Sequence, residues 1–200
     1  ALEYSIQSTS IKFPPGISIR LRMELSEIMK NDNLSEVIEL LYKWGVISLL
    51  NHQINLNSKF FRGLQWMKKI KGNIILYLLK DSDSLKELCD RFYINTKERE
   101  ILEDYLRFKK ILTIDIDKYK RFPPSKWTEF IETNHINVET IKLLICDGGS
   151  FWRPLFKWLY IYRYIKSDKS GSELKEEGWL EGKEIGAEIK RLRYLQIDNL

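Results

Sequence analysis

Two hundred residues carry 33 Lys and Arg against 28 Asp and Glu, a net charge of +5 and a pI near 9.0, and are 44% hydrophobic and 30% charged. That composition excludes a disordered chain, and no apolar run reaches membrane-spanning length. Cys89 and Cys146 stand in neither metal-ligand nor redox spacing, which fits a reducing compartment and leaves one sizeable core, or two small ones, to hold the fold. Ala1 stands where a Met start would be, and no signal peptide precedes ALEYSIQ, so the chain reads as a fragment of something longer.

Helical signals follow one another along the chain. SIRLRMELSEIMK over 18–30 puts Ile17, Leu21, Leu25 and Ile28 on one stripe at helical spacing. Asn33 with Glu36, Ser84 with Glu87 and Asn95 with Glu98 each give a polar cap followed three residues on by an acid, before the runs LSEVIELLYKWG, SLKELCDRF and KEREILEDYLRFKKIL. Gly45 ends the first of these, and the polar stretch NHQINLN marks a soft boundary near 51–57. Pro123–Pro124 breaks the chain before a helix opening at Ser125, and Asn137 opens another that closes at Gly148–Gly149. Only LTIDID hints at a strand.

FWRPLFKWLYIYRYIK is apolar or aromatic on nearly every side of a helical wheel, which predicts a helix running through the middle of a bundle, with Pro154 in its first turn. Its charges, Arg153, Lys157, Arg163 and Lys166, are all basic; stacking on bases is the other use of its aromatics. After it, SGSELKEEGWLEGKEIGAEIKRLRYLQI predicts a short helix, a turn between Gly178 and Gly182, and a closing basic helix. The whole reads as all-α, about ten short helices without a fixed repeat.

Catalytic patterns are absent. His52 and His135 belong to no HExxH-type motif, and there is no P-loop or GxSxG. Asp115 and Asp117 form an Asp-x-Asp pair without the upstream Gly-rich turn that phosphoryl chemistry needs, and read as a solvated loop or helix end. Binding patterns are present. KFFRGLQWMKKIK holds Lys59, Arg62, Lys68, Lys69 and Lys71 with no acid, and Phe60, Phe61, Leu64, Met67 and Ile70 to face a core. This is a basic helix face suited to RNA phosphates, or simply a solvated one. In the closing hairpin, the helix start after Gly182 offers free N–H groups, with Lys183, Lys190, Arg191 and Arg193 alongside. A plain helical corner is the alternative: Glu181, Glu184 and Glu188 oppose an anion, and Gly186 would let helices approach.

Two segments resemble the bacterial tRNA nucleotidyltransferases of the CCA-adding and poly(A) polymerase-like class, most closely the cyanobacterial type. Arg20-Leu21-Arg22-Met23-Glu24-Leu25 with Ile28-Met29 is similar to that family's neck-helix motif R-I-x-x-E-L, and LLYKWGVISLL to the turn that follows it. The tail pattern G-x-(D/E)-L, G-x-x-x-G and a closing Q/T-(L/I)-D is matched by Gly171 to Leu174, Gly178 to Gly182 and Gln196-Ile197-Asp198, although Glu181 stands where the family has Pro. The likeness runs in order over nearly all of the chain.

The resemblance implies an elongated array of helical bundles: a neck remainder over 1–52, a body over 53–122 and a tail over 123–200. It implies a cytoplasmic enzyme that adds or repairs the tRNA 3′ CCA end from CTP and ATP with Mg²⁺. The catalytic head lies upstream of the point that ALEYS resembles, so this stretch is inactive alone and has no catalytic residue, metal or cofactor of its own. Its partners would be that head and the acceptor stem and T-loop elbow of tRNA, with no membrane. Arg20, Arg22 and Glu24 would brace the neck through an ion pair within the helix, and Gly178, Gly182 and Gly186 would shape the hairpin. Lys68, Lys69 and Lys71 on the body and Lys183, Lys190, Arg191 and Arg193 on the tail would meet phosphates. The reading of another class is a helical protein–protein interaction module, favoured by an exposed apolar patch bare of basic residues. A helix-turn-helix regulator lacks a recognition helix beside a dimerisation segment.

Overall fold

The computed structural model describes residues 15–51, 53–82, 84–180 and 182–200. The ALEYS start, His52, Glu181 and the Ile17 side chain lie outside the described residues. The protein is all-α: thirteen α-helices and one 3-10 turn, with no strand among the described residues. LTIDID is helical too, falling at the end of one helix and the start of the next. The helices divide between two compact units, Ala1–Thr113 with Asn137–Gly149, and Ile114–Ile136 with Ser150–Leu200.

The first unit holds α1 (Pro15–Ile28), α2 (Leu34–Lys43), α3 (Val46–Leu50), α4 (Ser58–Lys69), α5 (Ile74–Leu79), α6 (Leu85–Arg91), nearly all of α7 (Thr96–Ile114), and α10 (Val138–Cys146). Its centre is the packing of α4 on α10 and α5. From α4, Leu64, Met67 and Ile70 are buried, while Lys59, Arg62 and Lys69 stay exposed, as the basic-face pattern expects. Gly63 makes the approach possible: a Cβ there would land on the Tyr77 hydroxyl and the Cys146 carbonyl oxygen. α10 is buried on most of its surface, with Thr140, Ile141 and Leu143 to Cys146 all inside the unit. Four starts are capped by Asn: Asn57 accepts from Phe60 N–H, Asn73 from Ile75 and Leu76, Asn95 from Glu98, and Asn137 from Glu139.

The second unit holds α8 (Ile116–Lys120), α9 (Pro124–Thr133), α11 (Trp152–Tyr160), the 3-10 turn Tyr162–Tyr164, α12 (Gly171–Glu176) and α13 (Lys183–Asp198). Tyr119, Phe122, Trp127, Phe130 and Phe151 meet in edge and tilted contacts with centroids 5.0 to 6.2 Å apart, an aromatic core for a small unit. Asp198, at the end of α13, accepts from Ser125 N–H (2.8 Å) and Ser125 Oγ (2.6 Å), capping the start of α9 with a carboxylate. The closing Gln-Ile-Asp thus has a structural use, with Ile197 wholly buried beside it.

The expectation for α11 is corrected. It is not buried all round: Phe151, Leu155, Trp158, Leu159 and Tyr162 face inward, while Trp152 and Tyr160 are 37% and 47% exposed. A nine-residue helix in a unit this small is covered on one side only.

Candidate nucleic-acid interface

On α4, Lys59, Arg62 and Lys69 recur at three- and seven-residue intervals and so share one outer stripe, with Lys69 stacked 5.2 Å from the Trp66 ring. Lys68 does not share it. Its ammonium donates to Asn31 O (2.9 Å), Asp32 O (3.1 Å) and Asp32 Oδ1 (3.1 Å), tying α4 to the α1–α2 turn. Lys71 follows in a left-handed conformation (φ 52°), its side chain exposed and its carbonyl accepting from Lys142. Arg62, which the sequence placed among the bases but not among the binding residues, is exposed as well.

The hairpin is built locally. Ser170 and Glu173 form a reciprocal capping box at the start of α12. Gly178 (φ 93°) ends it in a Schellman turn, its N–H donating to Lys175 O and that of Trp179 to Leu174 O. Gly182 (φ 102°, ψ −128°), in a region that side chains strongly disfavour, opens α13. Gly186 does something else: nothing lies within 4 Å of where its Cβ would be, so no close helix packing depends on it. Gly186→Ala should therefore stabilise the chain by about 0.5–1 kcal/mol, read as a higher urea midpoint at constant slope.

The bases of α13 divide. Lys183 and Lys190, seven residues apart, share one stripe. Lys183 makes no ion pair among the described residues, and Lys190 reaches Glu129 at 3.1 Å. Arg191 forms two 2.7 Å bonds with Glu188 on its own helix while its side chain stays 59% exposed. Arg193 turns inward and donates to both oxygens of Glu132 (2.7 and 2.8 Å) and to Ile165 O (2.8 Å). That bidentate bond raises the Arg193 pKa against the effect of its burial. It ties α13 to α9 and is not offered outward.

The neck-motif residues also separate. Arg20 and Glu24 form a loose, exposed pair at 3.9 Å within α1. Arg22 instead leaves its helix for Glu98 on α7 (2.5 and 2.6 Å) and for Tyr93 O (3.0 Å). Asn95 donates to the same carboxylate (2.8 Å) and accepts from Glu98 N–H, so the predicted cap pair doubles as the seat for Arg22.

One cluster was invisible to sequence reasoning. Lys80, only 5% exposed, lies between Asp81 and Asp147 (2.9 Å), and Lys109 reaches Asp81 at 2.7 Å and Asp147 at 3.4 Å. Burial alone would raise both carboxyls; the Lys80 ammonium, seconded by Lys109, outweighs it and holds them below the usual range. Burial also pushes the Tyr77 and Tyr105 hydroxyls far up, and the Cys146 thiol to about 12, so all three stay neutral. The cluster forms one wall of a cavity of about 250 Å³ that Asn51, Asn57 and Lys59 also line. LLKDSDS and CDGG are its sequence traces, 67 residues apart, and nothing local links them.

No protein-family model matches the chain, and no curated protein does. Among solved structures it is similar to the Thermotoga maritima CCA-adding enzyme complexed with tRNA, at a TM-score of 0.63 and 21% identity over 92% of this chain. The fold is CCA-adding-enzyme-like. The chain spans about half of that structure's length, 48%. No described helix is long and apolar enough to cross a membrane.

Proposed function

We propose that this chain is the tRNA-binding helical region of a nucleotidyltransferase that adds or repairs the 3′ CCA end, of the bacterial, cyanobacterial-like type. The observation that carries the reading is the fold likeness to a CCA-adding enzyme complexed with tRNA, which extends over 92% of the chain. In this reading residues 1–52 continue the neck, 53–122 form the body and 123–200 the tail of a cytoplasmic protein. Lys69 and Lys71, joined by Lys59 and Arg62, would meet phosphates on the body, and Lys183, Lys190 and Arg191 on the tail. Lys68 and Arg193 support these faces through Asp32 and Glu132. Shape and charge without base readout would let such faces accept every tRNA.

The described residues do not suit the Mg²⁺ that nucleotidyl transfer from CTP and ATP requires. No three His, Cys, Asp or Glu gather among them, and the exposed Asp115 and Asp117 open α8 with Asp117 paired to Lys120 at 3.6 Å. In this reading transfer belongs to the head, the second partner, and the Arg22–Glu98 pair ties the neck helix α1 to α7.

The test is binding to a whole tRNA and to an RNA of equal length without the T-loop elbow, across a salt series. Whole tRNA should bind tighter. Lys183→Glu, Lys190→Glu and Arg191→Glu together should flatten the log–log salt slope by about two units, at roughly 0.7 per lost phosphate contact. Equal binding of the two RNAs, or an unchanged slope, would sink the reading.

A further inference from the structure

The outward face of α11 and the 3-10 turn after it is made of aromatic and basic side chains, with Ile161 as its one exposed aliphatic residue. Tyr160, Ile161 and Tyr164 are 47%, 45% and 62% exposed, and Trp152 is 37% exposed. Between 151 and 166 the charged residues are Arg153, Lys157, Arg163 and Lys166, with no acid. Guanidinium groups lie over rings: Arg153 is 5.4 Å from the Trp152 centroid, and Arg163 is 4.6 Å from that of Tyr164, whose hydroxyl it also contacts. The Phe156 and Tyr160 rings stack at 4.7 Å, tilted by 43°.

Rings this exposed leave apolar surface in solvent, and charges of one sign repel any partner of like sign. A protein partner would have to meet the rings with apolar groups and the bases with separately placed carboxylates. A nucleic-acid strand brings both at every residue: one phosphate and one planar base. In a duplex the base faces are already stacked, so only an unpaired segment can use the rings. We infer that this face binds a single-stranded RNA segment, its bases stacking on Tyr160 and Tyr164 and its phosphates meeting Arg153, Lys157 and Arg163. The stacking face takes the class of its partner from the RNA reading above, and makes a different demand on it. The bases of α4 and α13 need phosphate only, whereas α11 needs an unstacked base.

The experiment measures anisotropy of labelled 12-nucleotide oligo(A) and oligo(U), of a blunt RNA duplex, and of tRNA, with the 200-residue chain. Tyr160→Ala with Tyr164→Ala should weaken oligonucleotide binding about ten-fold or more, from two lost stacks, and leave duplex binding alone. Tyr160→Phe with Tyr164→Phe, which keeps the rings, should bind as the unaltered chain does. Both variants change exposed side chains, and an unchanged thermal midpoint confirms that they fold. Alanine variants that bind the oligonucleotides undiminished, or phenylalanine variants as weak as the alanine ones, overturn the proposal. So does failure of the unaltered chain to bind either oligonucleotide, which would leave the face to a protein partner. If tRNA binds and the oligonucleotides do not, the tRNA reading stands without the stacking face. If the oligonucleotides bind and the elbow makes no difference, the reverse holds.

Discussion

Asp147→Ala should lower the free energy of unfolding by about 3 kcal/mol, the low end for breaking a buried ion pair. The Lys80 side chain is 7% exposed, and Asp147, at 16%, is its best-placed counter-charge. Without it the ammonium keeps Asp81 and the Tyr105 hydroxyl (3.3 Å), which is why the low end applies. The effect has a pH signature. Both carboxyls are held below their ordinary range when folded. Each therefore stabilises the fold above the unfolded value of about 3.9, and that stability drains away as pH falls through the folded value. The unaltered chain should lose stability below about pH 4, and Asp147→Ala should show a shallower acid limb from a lower plateau. Urea midpoints between pH 3 and 7 measure both. A variant with the same plateau and the same acid limb would mean that the pair contributes nothing net.

Gly63→Ala should cost about 2–3 kcal/mol, the opposite sign from Gly186→Ala. Alanine is the better helix former at either site, so local propensity predicts a gain at both. At Gly63 the new methyl meets the Cys146 carbonyl oxygen, a backbone atom that can move only with α10, and the Tyr77 hydroxyl. Tyr77 now donates to Phe60 O at 3.0 Å, so turning it aside also sacrifices that bond. Urea titration of the two variants side by side is the check. A gain at Gly63 would show that α4 and α10 are less tightly opposed than described.

Both results bear on function through rigidity. The stripe of Lys59, Arg62 and Lys69 on α4 faces outward because Leu64, Met67 and Ile70 fix its other side, and Gly63 sets how close that side lies to α10. On α13 the same holds of Arg193 and Glu132, which fix the helix roll that leaves Lys183 and Lys190 outside.

By itself the sequence determined the all-α class, most helix starts and stops, and the basic face of α4. Asn95 with Glu98, Asn137 before Glu139, Gly45, Gly148 and Gly178 all act within a few residues of themselves, since a cap bonds to the next turn and a left-handed residue bends the chain where it stands. Tertiary structure decided which bases are spent and which are offered. Lys68 and Arg193 look like their neighbours in the chain, but their acids arrive from 36 and 61 residues away. It also decided that α11 shows half its rings to solvent, because the pattern of a helix records what its residues could bury against, and only packing settles how many sides find a partner. Lys80 and Asp147 make the same point most strongly. Two charges 67 residues apart read as solvated until the fold removes most of their water, and each then draws its stability from the other.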